Sequence, residues 1–131
     1  LKYLLDTNIC IYYMKGRFGL DAKFDSLDVD SLFISEITLA ELKFGVAKSA
    51  KPSRNSKALD NFLSGIQILP IFDALDTFAS EKARLRKEGR IVDDFDLLIG
   101  ASAIANDLTL VTNNEKHFER LKGIKLENWA S

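Results

Sequence analysis

Four short apolar runs, LKYLL (1–5), LFIS (32–35), IQILPI (66–71) and LTLVT (108–112), recur along the chain with helical stretches between them. Each run is short and bounded by polar or turn-forming residues, so each reads as a strand. The runs are too apolar to leave one face wet. Strands of that kind alternating with helices belong to a parallel sheet covered on both sides. The sequence therefore predicts an α/β fold with a central, mainly parallel sheet of four strands, and IKLEN (124–128) offers a fifth at an edge. With 131 residues and no repeat, low-complexity tract or linker, the chain reads as one domain over 1–131.

Between the strands, Thr7 is an N-cap for a helix over Asn8 to Lys15, with Gly16 at its end. A short helix falls within 19–28, and Ser35 caps EITLAELKFGVAKSA. KPSR (51–54) breaks the pattern before a helix over 55–65 that buries Leu59, Phe62 and Leu63. Asp73 caps a long helix to Glu88, ended by Gly89. DDFDLLIGASAIAND forms another, and NNEKHFERLKG gives a turn and a short helix.

In such sheets ligands bind beyond the carboxyl ends of the strands. Asp6 ends the first run there, and Thr112, Asn113 and Asn114 end the fourth. Two further acids stand in apolar surroundings. On the third helix, Ile37, Ala40, Phe44 and Val46 or Ala47 mark an apolar face with Glu41 inside it. An isolated buried carboxylate is costly, so Glu41 is either a rim residue reaching solvent or a lysine, or part of a site. Asp96 heads a stripe of Ile99, Gly100 and Ala103, where small residues let another backbone come close. Asp93 and Asp96 also have capping-box spacing, which explains Asp93 better than Asp96. His117, the only histidine, is either structural or part of the same group. Clustered carboxylates repel unless a cation neutralises them. Hard oxygen donors suit Mg²⁺ or Mn²⁺, and the single cysteine, Cys10, rules out a thiolate zinc site within the chain.

Cys10 cannot form an internal disulfide and fits a small core position, so a reducing cytoplasm is the expected compartment. No run reaches the roughly 18 apolar residues of a membrane helix. With 18 basic and 19 acidic side chains the net charge is −1, which gives no global attraction to nucleic acid. Local patches would have to hold it. Lys43, Lys48, Lys51, Arg54 and Lys57 follow Glu41; Arg84, Arg86, Lys87 and Arg90 lead toward Asp96. RLRKEGR reads equally as a solvated helix end.

LLDTNICIYYMKG, SEITLAELKFGVAKS, EGRIVDDFDLLIGASA and LTLVTNNEKHFERLKGIKLENW together resemble a PIN-domain nuclease, and within that group the toxin of VapBC-type toxin–antitoxin modules. The resemblance covers essentially the whole chain. It implies a three-layer α/β/α PIN-like fold and metal-dependent hydrolysis of RNA, often structured RNA such as tRNA. It also implies a cognate antitoxin laid over the site, a homodimer, and higher assembly with the antitoxin. By resemblance Asp6, Glu41 and Asp96 are the catalytic acids that bind Mg²⁺ or Mn²⁺. Asp6 and Asp96 are then the principal ligands, and Glu41 ligates or orients the attacking water. Asn8 and Thr112 would brace the carboxylates. The family's fourth acid corresponds to Asn114, with Asn113, Glu115, His117 and Glu119 as neighbours able to compensate. Tyr12, Tyr13, Phe18 and Phe24 line a groove or dimer face, or belong to the core.

Two other classes compete. A receiver domain also carries an acid after its first strand, but it needs a lysine after a late strand, where this chain has TNN. No GxxxxGK[ST] phosphate loop is present. A catalytically inactive PIN-like module that binds RNA or protein fits the missing fourth acid, and the retained three acids speak against it.

Overall fold

A computed structural model describes residues 1–131. Its centre is a sheet of β1 (Tyr3–Leu5), β2 (Leu32–Ser35), β3 (Gln67–Leu69), β4 (Thr109–Val111) and β5 (Lys125–Glu127). The order is β3-β2-β1-β4-β5, and all neighbours are parallel. The chain thus builds outward from β1 on one side, then returns to build on the other. The strand order reverses between β1 and β4, where an open α/β sheet leaves a crevice. Asp6 and Thr112 follow those two strands.

Side chains alternate across the sheet and divide the core into two layers. Tyr3 and Leu5 face one layer, closed by α1 (Thr7–Met14), α2 (Leu20–Asp25), α3 (Glu36–Ala47) and α4 (Pro52–Leu63). Leu4 and Leu110 face the other, closed by α5 (Leu75–Lys87), α6 (Asp94–Ala105) and α7 (Glu115–Phe118). This is the expected three-layer architecture, with IKLEN contributing the parallel edge strand β5. None of its helices is long and apolar enough to cross a membrane. Cys10 is fully buried, and burial pushes its thiol well above the ordinary range. Tyr13 stacks on Phe24 at 4.3 Å within the first core layer. Tyr12 and Phe18 meet edge to face nearer the surface.

Several local expectations are corrected. The outer strands are wetter than the sequence suggested: Gln67 and Ile68 of β3 are exposed, because an edge strand has one neighbour and incomplete helical cover. The chain does break after α3, with Lys51 outside any helix, but the next helix starts at Pro52 and not at Asn55. Pro52 starts α4, its fixed φ and missing N–H suiting the first turn. Asp73 lies inside a 3₁₀ turn over Phe72–Ala74 that precedes α5 and caps nothing. Asp6, not Thr7, is the N-cap of α1.

Gly100 is small for a different reason than expected. A methyl there would overlap Leu121 Cδ1 and press on Phe118, so a side chain rather than a backbone fills the space. Leu121 and Phe118 belong to the segment that carries His117. Gly100→Ala is expected to destabilise the fold by about 1–3 kcal/mol through overpacking, read as a lower urea midpoint with unchanged slope.

Candidate active site

Asp6 leaves β1 and is only 7% exposed. As the cap of α1 its Oδ1 accepts the Thr7 N–H at 2.7 Å. Its Oδ2 accepts the buried Thr112 hydroxyl at 2.8 Å, from the end of β4. Two directed donors hold this carboxylate across the sheet reversal. Burial raises its pKa above the ordinary carboxylate value; the Thr112 and Thr7 donors pull it back, and the charge of Asp96 adds a smaller upward push. Removing the Thr112 donor leaves burial less opposed. In Thr112→Val, Asp6 is expected to titrate at higher pH than in wild type, read from its carboxyl carbon by NMR. The fold should lose about 1–2 kcal/mol, the usual cost of a buried acceptor left short of a partner.

Glu41 reaches the same place from α3. Its Oε1 accepts the Thr7 hydroxyl at 2.7 Å. The Thr38 hydroxyl lies 3.1 Å from that of Thr7. One hydroxyl carries one proton, so with Thr7 committed to the carboxylate, Thr38 is the donor of the pair. The apolar face drawn around Glu41 from the sequence is corrected. Phe44 is 65% exposed and Ala40 and Ala47 are exposed, while Thr38 and Leu42 face the core. Glu41 sits at the rim of that buried strip, where it gains a partner and keeps an opening to solvent.

Asp96 stands in the first turn of α6, beyond its cap Asp93, whose carboxylate accepts the Phe95 N–H at 3.1 Å. Asp96 itself faces His117, with Nε2 3.2 Å from Oδ2. The pair is misaligned for a hydrogen bond, and Nε2 is sealed from solvent without another partner. Burial raises the Asp96 pKa; His117 opposes this, while the charges of Asp93 and Glu41 add to it. Asp6, Glu41 and Asp96 are therefore electrostatic neighbours brought from β1, α3 and α6. No three acidic, histidine or cysteine side chains close on one point as a ready cage.

The remaining candidates separate. Asn8 is exposed beside the site and braces neither carboxylate; Thr7 does that work. Asn113 donates to the Tyr12 hydroxyl at 3.0 Å, tying the β4 loop to α1. Asn114 contributes its backbone N–H, which donates to Thr112 Oγ1 at 3.0 Å. Glu115 is exposed, and Glu119 lines a separate cleft with Arg90, Lys116 and Arg120. Among these, His117 is the side chain that faces the acids. Lys43, Lys48, Arg86, Lys87 and Arg90 are exposed, as are Lys51, Arg54 and Lys57. Arg84 is not free for a ligand: it grips Glu81 with two bonds, Glu88 with a third and the Arg120 carbonyl with a fourth. Sequence reading passed over Thr7 and Thr38. The signal for Thr7 was its place directly after the strand-end acid; Thr38 offered none beyond one helical turn from Glu41.

Residues 3–124 match the family described as PIN domain. The chain belongs to the PIN-domain family. As a PIN domain it is similar to ribonuclease VapC2 of Rickettsia felis, 43% identical over 133 residues covering 97% of each chain. It is likewise similar to the tRNA(fMet)-specific endonuclease VapC of Shigella flexneri, 37% identical over 131 residues covering 99% of each. Its fold matches the crystal structure of VapBC2 from Rickettsia felis bound to a DNA fragment from their promoter. The TM-score there is 0.91 at 38% identity, covering 98% of this chain and 99% of that one. The acids described above lie within the matched PIN span.

Proposed function

We propose that this PIN domain is a metal-dependent endoribonuclease, acting as the toxin of a VapBC-type module in the cytoplasm. The observation that carries the reading is the meeting of Asp6, Glu41 and Asp96 at the sheet reversal, in a chain that matches named VapC ribonucleases end to end. A cognate antitoxin is the partner the relatives' VapBC complexes suggest, and a homodimer is the assembly expected of the group.

The donor set suits a hard divalent cation, Mg²⁺ or Mn²⁺. Three carboxylates share one small region, where the charges of Asp93 and Glu41 push against Asp96 and His117 opposes them. Mg²⁺ keeps several waters and takes one or two carboxylates, so it needs no closed cage. Asp6 and Asp96 would hold it, with Glu41 beside them. When bound, such an ion lowers the pKa of water and offsets charge on phosphoryl oxygens.

The protein's own groups divide the rest. Thr112 and the Thr7 N–H fix both oxygens of Asp6, so the carboxylate does not turn when substrate arrives. The Thr7 hydroxyl fixes one oxygen of Glu41. The other is left to accept a proton from a water that attacks phosphorus. His117 faces Asp96 with its Nε2 3.2 Å from Oδ2, and Asn114 steadies Thr112.

The test is cleavage of total RNA, tRNA included, with mapping of the new ends. Discrete cuts in Mg²⁺ or Mn²⁺, absent in EDTA, are expected. An inactive binding module would give none under either condition.

A further inference from the structure

Beside the acids runs a groove whose walls carry two solvent-facing rings. Phe44 on α3 is 65% exposed, and Phe95 on α6, next to Asp96, is 49% exposed. Glu41 and Phe44 on α3 and Lys48 at its C-cap recur at helical spacing along one side. A carboxylate, a ring and an ammonium are thus set out over about 10 Å of helix. The Lys48 ammonium stands 5.3 Å from the Phe44 ring centre. Between them, Gly45 meets nothing: a β-carbon there would point into open space. No packing contact demands a glycine at this position, although one inside a helix costs about 1 kcal/mol against alanine. Its effect is to leave the groove floor open.

We infer that this groove is a nucleotide platform, in which a base of an unpaired RNA segment stacks on Phe44 and Phe95 while Lys48 holds the next phosphate. The inference rests on the ribonuclease reading and adds where the substrate strand lies. Exposed rings on a soluble surface fit a base, because every base has a stacking face. Lys48, two helical turns along from Glu41, offers a phosphate one cation. Continuity with Glu41 and Thr7, which line the same groove, carries the strand directly to the acids.

A single-stranded oligoribonucleotide bearing 2-aminopurine tests this, mixed with protein carrying Asp96→Asn so that it is not cut. Stacking is expected to quench the fluorophore on binding. Adding Phe44→Ala should abolish the quench and weaken binding roughly 5- to 100-fold, and Phe44→Trp should restore both. Phe95→Ala should act in the same direction. Gly45→Leu, which fills the floor and favours the helix, should block binding in a protein that still folds. Lys48→Ala should flatten the dependence of affinity on salt by about one phosphate contact. The inference is overturned if Phe44→Ala and Gly45→Leu bind the oligonucleotide as the parent does. The same holds if only antitoxin affinity falls, which would make the groove a protein-binding surface. If wild type fails to cut RNA in Mg²⁺ yet the Phe44-dependent quench persists, the platform stands and the hydrolase reading falls.

Discussion

Asp96→Asn is expected to cut RNA at least about 10²–10³ times more slowly than wild type, the loss typical of a removed charge-stabilising group, and yet to melt at a higher temperature at neutral pH. Both effects have one source. Burial and the charges of Asp93 and Glu41 hold the Asp96 pKa above its ordinary value, with His117 only partly opposing them. A carboxyl raised in this way binds its proton more tightly in the folded chain than in the unfolded one. As pH rises from the ordinary carboxylate range through the raised value, the folded state loses stability relative to the unfolded state. Above that value the whole penalty is present. Asparagine keeps the shape and an oxygen toward His117 and removes the charge. The gain in melting temperature should therefore be largest at pH 7, shrink as pH falls through the raised value and vanish below the ordinary carboxylate range, where Asp96 is protonated in both states. Asp6 is raised chiefly by burial and adds a penalty of the same sign.

Glu81→Ala is expected to lower the melting temperature by roughly 5–10 °C, equivalent to about 2 kcal/mol. Glu81 is nearly buried on α5 and accepts from Arg84 at 2.8 and 2.9 Å and from the Lys122 N–H at 2.7 Å. Arg84 in turn donates to the Arg120 carbonyl. The group ties α5 to the segment that follows α7, and α7 carries His117. The loss falls short of the roughly 3–5 kcal/mol of a fully buried pair because Arg84 stays 29% exposed and partly screened. The pH dependence has the opposite sign to that of Asp96. Arg84 and the Lys122 N–H hold the Glu81 carboxyl below its ordinary range. Its contribution is present above the ordinary glutamate pKa and is lost as pH falls through the depressed value. The difference between wild type and Glu81→Ala in thermal scans should then narrow under acid.

Much of this fold is visible in the sequence because its strands are short, apolar and separated by helices. That pattern admits few alternatives to a covered parallel sheet. Asp6 and Asp96 were legible for a related reason: each interrupts or heads an apolar run. Glu41 was singled out on a mistaken ground, since Phe44, taken as part of a buried face, is exposed. Hydrophobicity says that a ring prefers burial and cannot say when a groove beside an active site needs one outside. Pro52 was misread because the same residue that breaks a helix interior starts one well. Arg84 shows the other limit. Its spacing to Glu81 and Glu88 was in the sequence, but the Arg120 carbonyl and Lys122 N–H that close the cluster come from 36 and more residues away. Thr7 and Thr38 act through hydroxyls whose partners are set only when β1 and α3 meet.

The central claim is that Asp6 and Asp96 hold one divalent cation, with Glu41 beside it. Titration of the protein with Mn²⁺, followed by electron paramagnetic resonance of the free ion, addresses it without reference to any RNA. Wild type is expected to take up Mn²⁺ in competition with Mg²⁺, and both Asp6→Asn and Asp96→Asn to lose that uptake while remaining folded by circular dichroism. Equal Mn²⁺ uptake by wild type and both variants, or none by wild type at millimolar ion, would contradict the account.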